Sequence, residues 1–343
     1  MGFYQCPNCK KIWQYRIEKC PDCFQNLKKL ESKNLKVIGV SRVNIPTFLH
    51  PQIPYFVLLL EDENKNRFVF KSEKEYKIGD FFELEKAKSK EAVAIWRIKY
   101  DFKEAIEKTL ELLGDFDFEN KKILILPTLE TPVHPHLREN TSPEFLRAVL
   151  EFLLERGVKE KNIKIVNQSF NQFEIGACAF KSQLLFVAQS FSVIPKDLAQ
   201  GEFLKKGKFE ITAEVFDSDI ILNLPILKTT TTQSLDNILK LLKKENFLSL
   251  EYLSSKEEIL KEIFQFLPPV LTIAEANYIK RENRTICALY LVFSSFNPFN
   301  LERVFYEVIK KEPPKIIKEI EIEKIEILGR KIKEVQLEVE TLP

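Results

Sequence analysis

Two Cys-Pro-x-Cys pairs near the N-terminus constrain the fold more than any other feature of this 343-residue chain. They lie in YQCPNCKKIWQYRIEKCPDCFQ, residues 4–25, and place Cys6, Cys9, Cys20 and Cys23 in a C-x2-C-x10-C-x2-C pattern. Two thiolates from one tight turn face a common point, and a second turn completes a tetrahedron with bonds of about 2.3 Å to zinc. Four sulfur ligands leave no open position, so we predict a structural metal. Zinc is favoured, and iron in a rubredoxin-like site is the alternative.

The composition indicates a globular protein without a global attraction for polyanions. Apolar residues make up 45% of the chain, charged residues 30%, and the net charge is +2. Apolar runs such as YFVLLL and CALYLVF have the length of strands, far below the ~20 residues of a membrane-spanning helix. No signal peptide precedes the cysteine pairs, so we expect a cytoplasmic protein with no membrane partner, in which such pairs bind metal.

Short strands of alternating pattern follow the cysteine pairs. They are LKVIGVSRVNI (35–45), YFVLLLED (55–62), RFVFKS (67–72) and DFFELEKA (80–87), separated by turn signals such as DENKN and KIGD. Four or five short strands over about fifty residues predict a small barrel, most often an OB-fold. His50 lies in a Pro-rich loop of this region and is expected to be solvated.

The order of these parts resembles the zinc-ribbon and OB-fold family catalogued as domain of unknown function 35. The resemblance covers residues 4–88 and is carried by the cysteine pairs, KVIGVSRV, PYFVLLLEDENKNRFVF and YKIGDFFELEKAK. Members of that family accompany thiolase-like or hydratase-like enzymes and contact acyl-CoA substrates. The resemblance therefore implies an accessory role beside an acyl-CoA-handling enzyme.

Buried strands and helices alternate from residue 92 onward. The predicted strands are AVAIWRI, KKILILP, IKIVNQS, LLFVA, DIILNLP and VLTIAEA. The predicted helices are DFKEAIEKTLELLG, SPEFLRAVLEFLLERG, TTTQSLDNILKLLKK and SKEEILKEIFQFL; Gly114 ends the first, and Ser142 caps the second. Near-continuous apolar strands between helices predict a mainly parallel, doubly wound sheet. The tail IIKEIEIEKIEILGRKIKEVQLEVE alternates with period two and predicts a hairpin or edge pair.

The chain is thus predicted to be multidomain. A rubredoxin-like zinc ribbon occupies residues 1–30, an OB-fold-like β-barrel residues 31–89, and an α/β domain residues 90–343. Cys178 and Cys287 are isolated in the α/β domain and are expected to be core residues.

The α/β part resembles the family catalogued as domain of unknown function 362 over residues 92–338. The resemblance is carried by TSPEFLRAVLEFLLERGV (141–158), AEVFDSDIILNLPILKT (213–229), LVFSSFNPFNLERV (291–304) and IEILGRKIKEV. The family pattern Asp-x-x-Ile-Asn-x-Pro-x-x-Lys-Thr-His is matched by Asp219, Asn223, Pro225, Lys228 and Thr229. Thr230 replaces the His of that pattern, and NYIKRENR replaces a Gly-rich segment. The departures fall on polar positions, which implies that an activity shared by the family is lost here.

Polar residues follow two of the buried strands, where ligands of open α/β sheets bind. Free N–H groups at a helix N-terminus, together with a fixed Lys and Arg, suit a phosphate or carboxylate. We therefore predict a small-anion site with Lys228 and Arg138 in one cleft. Its residues are His134, His136, Arg138, Ser142, Asn223, Lys228, Thr229 and Thr230. The His-Pro-His stretch is alternatively a metal chelate. Gly-rich phosphate loops are absent from the sequence.

Three functions remain open. The first is an accessory or scaffold protein whose ribbon binds a protein partner, or a second copy of the chain, through Trp13 and Tyr15. The second is an enzyme with its chemistry around Lys228 and the loop 128–142. The third is a single-strand nucleic-acid binder, because residues 1–36 hold eight Lys or Arg against three Asp or Glu. A zinc centre with four thiolates carries about two negative charges, which reduces that excess and ranks nucleic acid last.

Overall fold

The computed structural model describes most of the chain. The described residues are 2–13, 17, 19–31, 34–47, 53–72, 74–82, 87–99, 101–114, 116–280 and 286–337. The chain divides into two compact units, Met1–Glu85 and Lys86–Pro343. The division into three domains stays a prediction. Within the described ranges, no helix combines the length and the apolar character needed to cross a membrane.

The first unit consists of two antiparallel sheets. Its strands are β1 (Gly2–Gln5), β2 (Ile12–Trp13), β3 (Lys28–Glu31), β4 (Leu35–Val43), β5 (Tyr55–Glu61), β6 (Arg67–Ser72) and β7 (Phe81–Phe82). The strand orders are β2-β1-β3 and β6-β5-β4-β7. Val37, Leu58 and Leu60 are fully buried between these strands, as the alternating sequence requires. Three of the predicted strands are confirmed, and the fourth, predicted over residues 80–87, is seen at Phe81–Phe82. Closure into a barrel stays a prediction; residues 83–86 and His50 lie outside the described residues.

The second unit is built on an eight-stranded sheet. The strands of this unit are β8 (Val93–Arg97), β9 (Ile123–Pro127), β10 (Ile163–Asn167), β11 (Lys196–Asp197), β12 (Phe203–Lys206), β13 (Phe209–Thr212), β14 (Ile220–Leu224), β15 (Val270–Lys280), β16 (Ile286–Ser295) and β17 (Ile327–Gly329). The order in the large sheet is β11-β10-β9-β14-β15-β16-β8-β17, and β12 pairs with β13 apart from it. Only β16 runs antiparallel to its two neighbours in this sheet. The predicted mainly parallel sheet is confirmed.

Helices cover both faces of this sheet. They are α1 (Phe102–Leu113), α2 (Pro143–Glu155), α3 (Ile175–Lys181), α4 (Leu184–Ser190), α5 (Ala213–Phe216), α6 (Gln233–Leu239), α7 (Lys244–Leu253), α8 (Lys256–Ile263), α9 (Pro298–Val308), α10 (Lys315–Lys318) and α11 (Ile332–Val335). Ile123 and Ile125 pack into the apolar cluster of α1 to α4, while Leu124 and Leu126 pack into the cluster of α6 to α9. Successive side chains of β9 are thus buried on opposite faces of the sheet, which explains the unbroken apolar sequence of this strand.

Local signals at the helix ends have the predicted effect. The Ser142 side chain accepts a hydrogen bond from the backbone N–H of Phe145 at the start of α2, and Pro143 follows as the first helical residue. Gly114 ends α1 with φ 101°, in the left-handed region that glycine adopts without strain. These caps fix where the strand-to-helix loops begin and end.

One sequence prediction was wrong and another was correct in part. LLFVA forms the helix α4, because a five-residue apolar run is compatible with a buried helix as well as with a strand. The period-two tail was predicted as a hairpin or edge pair, and it contains α10, β17 and α11. The hairpin is not formed, whereas β17 makes an edge pair in parallel with β8. At Gly329 (φ 78°) a Cβ atom would lie 2.4 Å from the carbonyl oxygen of Ile95, so this edge pairing requires glycine.

Candidate functional site

The four cysteines of the first unit converge on one point. One ligand atom from each of Cys6, Cys9, Cys20 and Cys23 lies within 4.8 Å of the others. Sγ atoms are 3.2 Å apart for Cys6 and Cys23, and 3.5 Å apart for Cys9 and Cys20. Sulfurs of a tetrahedral site with 2.3 Å bonds are about 3.8 Å apart, so the geometry fits a four-sulfur metal. This arrangement could hold a metal ion, and zinc and iron both accept it.

The two cysteine turns share one backbone pattern. In each turn the carbonyl of the first cysteine accepts a hydrogen bond from the fourth residue on, Lys10 after Cys6 and Phe24 after Cys20. Lys10 and Phe24 both have positive φ, at 62° and 56°. These left-handed residues reverse the chain after each pair, so that both thiols of a turn point to the same side.

A shallow depression of about 390 Å³ lies beside the second cysteine turn. Lys11, Ile12, Trp13, Pro21 and Asp22 line it. The ion pair of Lys11 with Asp22, 2.6 Å long, links the two cysteine turns across it. Trp13, predicted as an anchor, is partly exposed here; Tyr15 and Arg16 lie outside the described residues.

In the second unit, a carboxylate bridges two lysines at the carboxyl edge of the sheet. Glu130 Oε2 accepts from Lys228 Nζ at 2.8 Å, and Oε1 lies 3.3 Å from Lys240 Nζ. Gln233 Nε2 donates to Oε1 at 2.9 Å, and Lys228 also lies 3.5 Å from Glu139. Only the outer rim of this Glu130 cluster is open to solvent, since the Lys240 side chain is 7% exposed and that of Glu130 28%.

The charges of the Glu130 cluster shift its pKa values. Burial alone would raise the pKa of Glu130, but Lys240 and Lys228 beside it lower that pKa to about 2. Burial lowers the pKa of Lys240, in opposition to the neighbouring Glu130 carboxylate. The carboxylate is therefore ionised at neutral pH, while Lys240 releases its proton more easily than a solvated lysine.

The Glu130 cluster lies where the winding of the sheet reverses. From β9 the chain moves outward to β10 and β11, then returns on the other side of β9 with β14 and continues to β15. Glu130 follows β9 and Lys228 follows β14, so the two strands that flank the reversal supply the two charges. Crevices at such switch points are the usual ligand sites of open α/β sheets.

Two buried amide side chains link strands β9 and β14 to helix α6 beneath the Glu130 cluster. Asn237 donates to the backbone oxygen of Leu126 at 3.4 Å and to Asn223 Oδ1 at 3.1 Å. Asn223 in turn donates to the backbone oxygen of Ser234 at 2.8 Å. The predicted site residue Asn223 is thus fully buried and ties β14 to α6. Of the two threonines predicted beside it, Thr229 is buried and Thr230 exposed.

The two predicted histidines contact each other. His134 Nδ1 and His136 Nδ1 are 2.7 Å apart, and both side chains are exposed. The His134 Nε2 atom also lies 3.3 Å from Gln183. The imidazole nitrogens converge as a chelate requires, yet the described residues hold no third His, Cys, Asp or Glu ligand beside them.

Arg138 and Ser142 meet at a second buried carboxylate, that of Glu275. Glu275 Oε2 accepts from the backbone N–H of Ser142 at 2.9 Å, and its Oε1 lies 3.9 Å from Arg138. The Arg138 guanidinium stacks 4.5 Å above the Tyr278 ring. Burial raises the pKa of Glu275 to about 7. That Lys228 and Arg138 share a cleft stays a prediction.

A third buried carboxylate, Glu302 on α9, lies near the start of α6. Its Oε1 accepts from the backbone N–H of Ser234 at 2.7 Å, while Oε2 has no hydrogen-bond partner in the described structure. Burial raises the pKa of Glu302 to about 8. A carboxyl group that stays protonated near neutral pH avoids a buried charge.

Four site residues were not predicted from the sequence, namely Glu130, Lys240, Gln233 and Glu275. A signal for two of them was present, because Gln233, Asn237 and Lys240 are spaced i, i+4, i+7 and so share one face of a helix. Glu130 and Glu275 gave no comparable signal, since a single acidic residue after a strand or within one has many structural uses.

Comparisons with known proteins give one family match. The model of the family described as Domain of unknown function (DUF362) matches residues 123–307, which confirms the resemblance predicted for the α/β part. None of the curated proteins matches the chain. A solved structure described as "Ltp2-ChsH2(DUF35) aldolase" is similar at 23% identity, over 23% of this chain and 67% of that chain, with a TM-score of 0.19. The resemblance of the N-terminal unit to domain of unknown function 35 stays a prediction.

Proposed function

Because the chain belongs to the family described as Domain of unknown function (DUF362), joined here to a four-cysteine unit, we propose two linked roles. The α/β unit binds a small anionic ligand at the carboxyl edge of its sheet. The N-terminal unit is a zinc ribbon with an OB-like barrel that acts as an accessory module. The Glu130 cluster is the observation that supports the first role most directly.

The donor groups of the Glu130 cluster already bind one carboxylate, that of Glu130 itself. Lys228 and Lys240 approach the two oxygens of Glu130 from different sides, and Gln233 adds a third donor. A ligand carboxylate or phosphate that takes the place of the Glu130 side chain would meet the same three donors. Glu130 is carried by the loop 128–142, so its withdrawal requires movement of a loop and leaves the sheet in place.

Calorimetric titration with malonate and inorganic phosphate tests the anion site. We expect Lys228→Met to weaken binding at least about tenfold, or by about 1.4 kcal/mol. Lys164→Met is the matched control, because Lys164 is also paired with carboxylates but lies near the beginning of β10, at the opposite edge of the sheet. Absence of binding, or equal affinity in both variants, would contradict the proposal.

The N-terminal unit is proposed to dock a protein partner, an acyl-CoA-handling enzyme, or a second copy of the chain. The partly exposed Trp13 beside the depression at Lys11 and Asp22 supports this role, since aromatic side chains dominate interface energetics. Structural zinc would hold the two cysteine turns that form this surface. The partner itself would be identified by co-purification with the unmodified chain.

Single-strand nucleic-acid binding is the competing role for the same unit. Such binding would rest on phosphate contacts, and log affinity would fall by around 0.7 per contact for each tenfold rise in salt. Substitution of Lys10, Lys11 and Arg16 together would then abolish it. We expect negligible binding of a short DNA or RNA strand at physiological salt. Micromolar, salt-sensitive binding would instead assign the unit to nucleic acid.

A further inference from the structure

Lys240 is a buried lysine whose ammonium has few hydrogen-bond acceptors. Its ammonium carries three N–H donors, yet in the described structure its one hydrogen-bond acceptor is Glu130 Oε1 at 3.3 Å. Lys164, by comparison, meets carboxylates of Glu214 and Asp217 at 2.7 Å each while being 38% exposed. A buried ammonium with one long hydrogen bond is poorly solvated, whereas a neutral amine needs fewer partners.

The charges around Lys240 also favour the neutral amine. Lys228 is bonded to the other oxygen of the same Glu130 carboxylate, so a second positive charge lies close by. Burial acts in the same direction, and Glu130 and Asp236 oppose it. A desolvated lysine next to another cation is the arrangement that activates an amine as a nucleophile towards carbonyl carbon.

We infer that Lys240 is the nucleophile for an oxo acid, with which it forms an imine while Lys228 holds the ligand carboxylate. This inference rests on the proposed anion site and names its substrate class. In an oxo acid, the carboxylate can take the position of Glu130 Oε2 at Lys228 while the adjoining carbonyl oxygen takes the position of Oε1, so that the carbonyl carbon lies beside Lys240. Gln233 Nε2, now bonded to Glu130 Oε1, is then free to donate to the carbonyl oxygen.

The reaction needs no further reagent. The lone pair of the Lys240 amine attacks the carbonyl carbon, and the C=O π pair moves onto the oxygen, which takes up a proton. The amine loses its two protons in the course of the reaction, and the former carbonyl oxygen leaves as one molecule of water. The product is a C=N bond between Lys240 and the ligand.

Reductive trapping of the unmodified chain tests the inference. We expect glyoxylate with cyanoborohydride to place a carboxymethyl group on Lys240 about tenfold faster than on Lys243 or Lys244, a difference of about 1.4 kcal/mol in activation free energy. Peptide mapping by mass spectrometry locates the adduct and needs no variant. Acetaldehyde, which lacks the carboxylate, should label Lys240 more slowly. Lys228→Met should reduce the rate with glyoxylate to that with acetaldehyde.

Two results would overturn the inference. The first is labelling spread over exposed lysines with Lys240 unmodified, and the second is equal labelling by glyoxylate and acetaldehyde. The malonate titration separates the inference from the proposed function, because malonate binding by the unmodified chain without any Lys240 adduct removes the imine and retains the anion site. If the unmodified chain does not bind malonate, both the imine and the anion site are ruled out.

Discussion

The four-cysteine site and the Glu130 cluster both gather ionisable side chains, but their charges are balanced in opposite ways. Four thiols of like charge meet within 4.8 Å and, once ionised, need a cation from outside the chain. In the Glu130 cluster, carboxylates and ammonium groups of the chain neutralise one another. We therefore expect the first site to depend on a ligand for its structure, whereas the second can fold without one and must exchange an internal partner to bind one.

The apolar cores of the two units also differ in size. Among the described residues of the first unit, eight buried side chains form its apolar cluster, and Phe3 is the one of them that comes from the cysteine-bearing segment. The α/β unit has two large clusters, one on each face of its sheet. We expect the small core to leave the first unit reliant on metal, and the large core to hold the Glu130 cluster in place independently of its charges.

The largest expected effect is loss of the metal. Cys20 is fully buried, and we expect Cys20→Ser to abolish binding of one zinc per chain and to unfold the ribbon, since structural zinc contributes about 10–16 kcal/mol to such folds. The main thermal transition of the α/β unit should persist. Elemental analysis and calorimetry measure both, and Cys287→Ser is the control that retains zinc. If elemental analysis finds less than about half an equivalent of zinc together with iron, the bound metal is iron and the zinc prediction is wrong.

The substitution Glu130→Gln should have the next largest effect on stability. It leaves Lys240 buried without its carboxylate, and we expect a loss of about 3 kcal/mol in the free energy of unfolding, typical of a broken buried pair. Glu139→Gln, which removes the longer contact to Lys228 at 3.5 Å, should cost less than about 1 kcal/mol. Denaturant titration compares them. Equal losses in the free energy of unfolding would show that Glu130 stabilises the cluster no more than Glu139 does.

Glu302→Gln should change the pH dependence of stability. Burial raises the pKa of Glu302 from 4.5 to about 8, although the hydrogen bonds from Ser234 lower it. Smaller charge effects follow, since Asp236 raises this pKa and Lys256 lowers it. Between these pKa values the folded chain holds a proton that the unfolded chain has released, so the free energy of unfolding falls as pH rises, by up to about 1.4 kcal/mol per pH unit. The variant should give a flatter curve from about pH 5 to 8.

Glu130 provides the matched control for this titration. Its lowered pKa of about 2 contributes stability that is present above pH 4.5 and lost as the pH falls through 2. Glu130→Gln should therefore leave the slope of the denaturation free energy between pH 5 and 8 unchanged. Parallel curves for the unmodified chain and Glu302→Gln in that window would show that Glu302 is not buried as a neutral acid.

Trp13→Ala should have the smallest effect on stability. Trp13 is partly exposed, so we expect a change below about 1 kcal/mol in the free energy of unfolding and full retention of zinc. Loss of the co-purifying partner, or of self-association, should accompany it. Analytical ultracentrifugation and affinity purification measure this. Unchanged association would exclude the depression beside Trp13 as the docking surface.

The sequence predicted those features that depend on near neighbours along the chain. The cysteine spacing, the Ser142 cap and the strand pattern are local, and each has its expected structure. LLFVA failed because five apolar residues do not specify strand or helix without their tertiary neighbours. The pairing of Lys228 with Glu130 could not be predicted, since it depends on two loops that the sheet topology brings together.

The long separation within the Glu130 cluster has a consequence for synthesis of the chain. Lys228 lies 98 residues beyond Glu130, and Lys240 lies 110 residues beyond it. Contacts between such distant residues form late in folding, because the intervening chain must first be closed into a loop. On the ribosome, the Glu130 carboxylate therefore stays hydrated until α6 has emerged. The cysteine turns, separated by ten residues, can close around a metal while most of the chain is still unmade.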